Sequence, residues 1–76
     1  PAHLRGGLSP AALKRVHLFV EANLERRLQL RDLAARAGLS VYHFARAFRT
    51  TAGVTPRAFV EARRVERAKA LIEGSD

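Results

Sequence analysis

Cysteine, methionine and tryptophan are absent from the 76 residues, and tyrosine occurs once. Without cysteine there is no disulfide scaffold, no Cys-ligated zinc module and no thiol nucleophile. Acid is scarce: seven Asp and Glu stand against 14 Lys and Arg, a formal net charge of +7. No run approaches the ~18 continuous apolar residues of a membrane span. No basic n-region followed by an apolar core opens the sequence, so no secretory leader is expected. No internal repeat, low-complexity run or strand-like alternation is visible. The constellations of catalysis are also missing. There is no nucleophile–base pair with an orienting group, no HExxH, no phosphate loop and no pair of carboxylates on one face. His3 and His17 have no partner at ligand spacing. No enzyme, metal or cofactor is expected.

What remains is 47% apolar residues, too many for a disordered tail. A chain this short buries only about 60% of its unfolded surface, which favours a compact helical bundle over a fold with a deep cleft. A pI of 11.5 is the electrostatic footprint of a nucleic-acid binder, although a basic surface is also compatible with simple solubility.

Residues 1–8 lack periodicity and hold a Gly pair, and read as a linker or tail. Ser9-Pro10 opens a helix near 10–24, with Ser9 as cap and Pro10 where a missing N–H costs nothing. Leu13, Val16, Val20 and Leu24 form its apolar stripe, widened by Phe19. Leu30, Leu33, Ala34 and Ala37 give a second helix near 30–37, closed by Gly38, with Leu39 packing back on the core. Ser40 caps a third helix near 41–51, stopped by Gly53. Thr55-Pro56 opens a fourth near 56–73, closed by Gly74, with Phe59, Ala62, Val65, Ala68 and Leu71/Ile72 as its apolar stripe. The expected fold is all-α.

Residues 30–51 match the helix-turn-helix pattern. The second helix of that motif must grip the bundle with one face and offer groups to a major groove with the other. Phe44, Ala47, Phe48 and Thr51 fall at i, i+3, i+4, i+7 and would face inward. Tyr42, Ala45, Arg46 and Arg49 fall on the opposite face. Residues 41–55 contain no acid, whereas a generic solvated helix mixes its charges.

The segments Leu30-Arg31-Asp32-Leu33-Ala34, Gly38-Leu39-Ser40 and Tyr42-His43-Phe44-Ala45-Arg46-Ala47-Phe48-Arg49 carry a family resemblance. Gly53-Val54-Thr55-Pro56 and Arg64-Val65-Glu66-Arg67-Ala68 continue it. In this order and spacing the chain resembles the first half of the DNA-binding domain of AraC/XylS-type bacterial transcription regulators. The resemblance implies a helix-turn-helix subdomain with a homeodomain-like three-helix core over 9–55. It also implies a long connecting helix over 56–74, and a second helix-turn-helix that the sequence, ending at Asp76, does not contain. A fragment of a longer regulator is therefore expected, with residues 1–8 as the end of an interdomain linker. An effector would bind a sensor domain that is also missing here. The implied partner is double-stranded promoter or operator DNA, with RNA polymerase as a second partner and no membrane. The implied location is the bacterial cytoplasm, at the nucleoid.

Arg46, mid-helix on the outer face, is the leading candidate for base contact, since a guanidinium fork matches guanine O6 and N7. Tyr42, near the end that enters deepest, and the small Ala45 are the other base candidates. The competing readings are a packing Tyr and plain helix propensity. Arg49, Thr55, Arg57, Arg31 and His43 are phosphate candidates; for His43 an ordinary flank role competes, and for Thr55 a purely capping one. Arg64 reads as structural. Arg5, Lys14, Arg15, Arg26, Arg27 and Arg36 read as mostly solvated. An alternative function is a protein-interaction module that docks an acidic partner through the basic helix 56–73, using Arg63 and Arg67.

Overall fold

A computed structural model describes residues 6–74. Four helices follow in order: α1 (Pro10–Ala22), α2 (Leu30–Ala37), α3 (Val41–Ala52) and α4 (Pro56–Glu73). No strand occurs among the described residues. His3 and Arg5 lie outside them.

All four helices begin alike. An apolar residue stands just outside the cap and another at the fourth helical position: Leu8 and Leu13, Leu28 and Leu33, Leu39 and Phe44, Val54 and Phe59. This is the hydrophobic-staple pattern that sets the angle at which the chain enters a helix. The caps themselves are polar. Ser9, Ser40 and Thr55 accept from the amides of Ala12, His43 and Ala58 at 3.1, 3.2 and 3.1 Å. At α2 the polarity is reversed, and the Gln29 amide donates to Asp32 Oδ2 at 3.1 Å. Each such cap stabilises its helix by about 1 kcal/mol.

The helix ends depart slightly from the sequence pattern. α1 stops at Ala22, two residues early, because Asn23 leaves the helical region and turns its side-chain amide onto the Phe19 carbonyl at 2.8 Å. Leu24 stays buried outside the helix. α3 runs to Ala52, where Gly53 takes φ +80°, and Gly38 closes α2 at φ +74°.

Val16 and Val20 of α1 and Phe44 and Phe48 of α3 are fully buried and centre the core, with Leu33, Ala34 and Ala37 of α2 around them. Phe44 stacks obliquely on Phe48, and Phe48 meets Phe59 edge-on at 5.4 Å, which ties α4's first turns to α3. Among the described residues no polar or charged residue is buried.

Two expectations are corrected. Leu8, assigned to the linker, is a core residue, only 3% exposed. Its amide donates to Thr51 Oγ1 at 2.7 Å, so the chain is already locked to α3 before α1 begins. Of the stripe expected to close α4 on the bundle, only Phe59 packs against the core. Ala62, Val65, Ala68, Leu71 and Ile72 are exposed, and the buried residues are Pro56 and Val60. The phase was wrong because the face of α4 turned to α1 is made mainly of arginines, whose stems cover apolar surface while their heads find carbonyls. Leu30 and Leu39 are also more exposed than their patterns suggested, at 39% and 40%.

Candidate nucleic-acid interface

The core residues of α3 fix what the helix shows to solvent. With Phe44, Ala47 and Phe48 buried, Tyr42, Arg46 and Arg49 are exposed and Ala45 is half-buried. Tyr42 is 67% exposed, which removes the reading of it as a packing residue. One turn apart, Tyr42 and Arg46 touch: Arg46 Nη1 donates to the Tyr42 hydroxyl at 3.2 Å, with the guanidinium carbon 5.6 Å from the ring centroid. A cation over an aromatic face is attracted by its quadrupole. The contact restricts the arginine while leaving other guanidinium N–H groups to donate.

Ala45, Arg46 and Arg49 form one wall of an open groove. Thr55 and Arg57, at the start of α4, form the facing wall. The structure thus gathers five of the eight sequence-chosen residues at one place. The first turn of α4 contains no acid, so its uncancelled dipole favours an anion there. Pro56 has no N–H and Thr55 takes the Ala58 amide, which leaves the Arg57 amide to donate. Arg49 and Arg57 make no side-chain hydrogen bond or ion pair among the described residues. The groove is also lined by Arg27, from the α1–α2 connection, which sequence reading left among the solvated cations. The available signal was an Arg-Arg doublet just before the helix that crosses the DNA backbone in this motif.

The remaining candidates lie apart from the groove. His43 is exposed at the first turn of α3. Its Nδ1 is 3.0 Å from Ser40 Oγ, which also accepts the His43 amide. If the hydroxyl donates to Nδ1, the neutral ring carries its proton on Nε2, facing away from the cap. That is the tautomer a phosphate donor needs. Arg31 is exposed on α2 and does not line the groove. Beside it, the Asp32 carboxylate already answers the N-terminal end of α2, so this end is a weaker anion site than that of α4.

The other cations hold the bundle together. Arg63 meets the Glu21 carboxylate through two hydrogen bonds. Arg67 donates to the Glu21 carbonyl at 3.2 Å. Arg64 donates to the carbonyls of Leu24 at 3.1 Å and Arg26 at 2.7 Å. Arg15 caps the end of α2 at the Arg36 carbonyl, and Arg36 itself lies 4.5 Å over the Phe19 ring. Arg15 and Arg36 are exposed, as the sequence suggested, yet each also makes a contact within the bundle. The hydrogen bond from Arg63 holds the Glu21 carboxyl below the usual carboxylate range, and Glu21 in turn raises Arg63. His17 packs edge-on against Phe59 at 5.4 Å and lies 3.9 Å from Glu21, a packing position. Among the described residues no cluster of His, Cys, Asp or Glu could hold a metal ion, and no helix is long and apolar enough to cross a membrane.

A family model described as a helix-turn-helix domain matches residues 33–76. The transposon Tn10 TetD protein of Escherichia coli is 39% identical over 56 residues, 74% of this chain and 41% of that protein. The uncharacterized HTH-type transcriptional regulator YbfI of Bacillus subtilis (strain 168) is 36% identical over 61 residues, 80% of this chain and 22% of that protein. The chain thus spans less than half of either relative. No solved structure matches it.

Proposed function

The chain belongs to the AraC-type helix-turn-helix family, and from that membership we propose that it reads double-stranded DNA by sequence, with α3 laid in a major groove. DNA-binding transcription regulation is the role the family supports. The specific reading rests on one observation: the acid-free outer face of α3 shares a groove with the anion-favouring start of α4. Arg46, Tyr42 and Ala45 contact base edges in this reading. Arg49, Arg57, Thr55 and His43 contact phosphates and fix the register. Arg31 touches the backbone only if the duplex extends past α2.

α4 is proposed as the connecting helix to a second DNA-reading unit in the full-length regulator. A DNA reader works where the DNA is, so the bacterial cytoplasm is the proposed location. The competing docking role for α4 is disfavoured, since Arg63, Arg64 and Arg67 are engaged within the bundle.

Binding to a duplex from the regulated promoter and to a scrambled duplex, across a salt series, tests the proposal. Arg46→Ala should erase about 1–3 kcal/mol of discrimination at one base pair while leaving the salt dependence nearly intact. Equal affinity for both duplexes in the unaltered chain would overturn specific readout.

A further inference from the structure

We propose that the α1–α2 connection is a third wall of the DNA-facing groove, in which Arg27 binds a backbone phosphate and Arg64 holds it in place. The inference rests on the reading of that groove as a duplex-binding surface.

A loop arginine is ordinarily a poor ligand, because both its backbone and its long side chain must be ordered on binding. Here the backbone is ordered in advance. Leu24 is buried, and Leu28 packs against the core from the other side. Between them, the Arg64 guanidinium reaches back from α4 and bridges two carbonyls, those of Leu24 and Arg26. Arg27 is the next residue after a carbonyl so held, and its exposed side chain lines the same groove as Arg49 and Arg57.

Arginines from three elements thus face one open trough. Glu61, the acid that also lines it, lies 3.4 Å from Arg64 and is balanced there. Among the described residues nothing of the chain's own neutralises Arg27. A phosphodiester is the anion that fits, because the same trough presents the positive end of the α4 dipole, Arg57 and the α3 arginines to a polyanion. Arg64 acts through Arg27 and is a positioning residue. A lysine there would keep the charge and can donate from its one nitrogen, but it lacks the rigid fork whose Nε and Nη2 each take one carbonyl in a fixed geometry.

The test is fluorescence-anisotropy titration of the whole chain with a short random-sequence DNA duplex over a sodium chloride series. A random sequence isolates phosphate contacts from base readout. Arg27→Ala should reduce the slope of log K against log salt by about 0.9 and weaken binding about fivefold at physiological salt, the effect of one phosphate. Arg27→Lys should recover the slope. Arg64→Lys should lower it when Arg27 is present and add nothing to Arg27→Ala. Should Arg64→Lys lose its helical circular dichroism, Arg64→Gln, which keeps one carbonyl donor, takes its place in the same cycle.

If Arg49→Ala and Arg57→Ala lower the slope and Arg27→Ala does not, the third wall is overturned and the duplex reading stands. If Arg27→Ala lowers it but the Arg64 variants do not, the positioning role is overturned. If the unaltered chain shows no salt-dependent binding, the duplex reading itself fails, and this inference with it.

Discussion

Gly38 holds φ at +74°, and nothing lies within 4 Å of the point where a Cβ would sit. A side chain there would meet no collision, so the cost of adding one is that of the left-handed backbone itself. Gly38→Ala should lower the unfolding free energy by about 1–2 kcal/mol, and Gly38→Asn by less, because Asn tolerates that region. Urea denaturation of the two variants checks this. Equal losses would mean that φ is not what the glycine supplies. The site matters because the Gly38 turn sets how α3 leaves α2, and so where Arg46 is carried. Such single-residue devices were legible in the sequence. Ser9, Ser40, Thr55, Gly38 and Gly53 act through local chemistry that spacing alone reveals. The contact between Tyr42 and Arg46 lay within reach of the same logic, being one turn apart. The partners of Arg15 and Arg64 lay beyond it, because their carbonyls are 21 to 40 residues away.

At the scale of elements, the segment before α1 and the long α4 show what periodicity misses. Leu8 follows a glycine pair and precedes the Ser9-Pro10 start of α1, so it belongs to no sustained apolar stripe that would announce it. Yet it fills the core and binds α3 through Thr51. If it is core, Leu8→Ala should destabilise the chain by roughly 2–5 kcal/mol, a large share of what a domain this small possesses. If it were linker, the change would be within about 0.5 kcal/mol of zero. Thermal unfolding of the variant separates the two. For α4 the sequence offered two possible faces. The apolar one, Phe59-Ala62-Val65-Ala68, was the natural choice, but beyond Phe59 the bundle uses Pro56, Val60, Arg63, Arg64 and Arg67. A hydrophobic count cannot rank an arginine face above an apolar one. Only the carbonyls exposed at the end of α1 make that face favourable, and their position is a tertiary fact. α1 to α3 were legible because their burial is mutual and apolar. The groove was legible in part, since it forms where a readable helix face meets a readable helix start.

For the molecule as a whole, the described residues extend 45 × 24 × 18 Å, a shape set by α4. That helix is about 27 Å long at 1.5 Å per residue. After Val60 its ties to the rest of the chain among the described residues are mainly polar and converge on the end of α1, with Glu21 at the centre. The direction of α4, and with it the place of Thr55 and Arg57 in the groove, therefore draws on the Glu21 carboxylate beside the carbonyls that Arg64 and Arg67 hold. Arg63 holds that carboxyl below its ordinary value of 4.5. A carboxyl whose value is lower in the folded chain adds stability above the unfolded value and loses it as the pH falls through the folded one. The contribution of Glu21 should be complete at neutral pH, begin to fade near pH 4.5 and shrink further in stronger acid. Glu21→Gln, which cannot carry the charge, should be less stable than the unaltered chain at pH 7, and the gap should narrow below about pH 4.5. Because the pair is partly exposed, added salt should shrink the gap at neutral pH as well. Thermal unfolding of both chains from neutral to acid pH, at low and high salt, decides it. A gap that stays constant across the series would mean that Glu21 supports α4 by shape and hydrogen bonding rather than by charge, and that the acid response of the chain arises elsewhere.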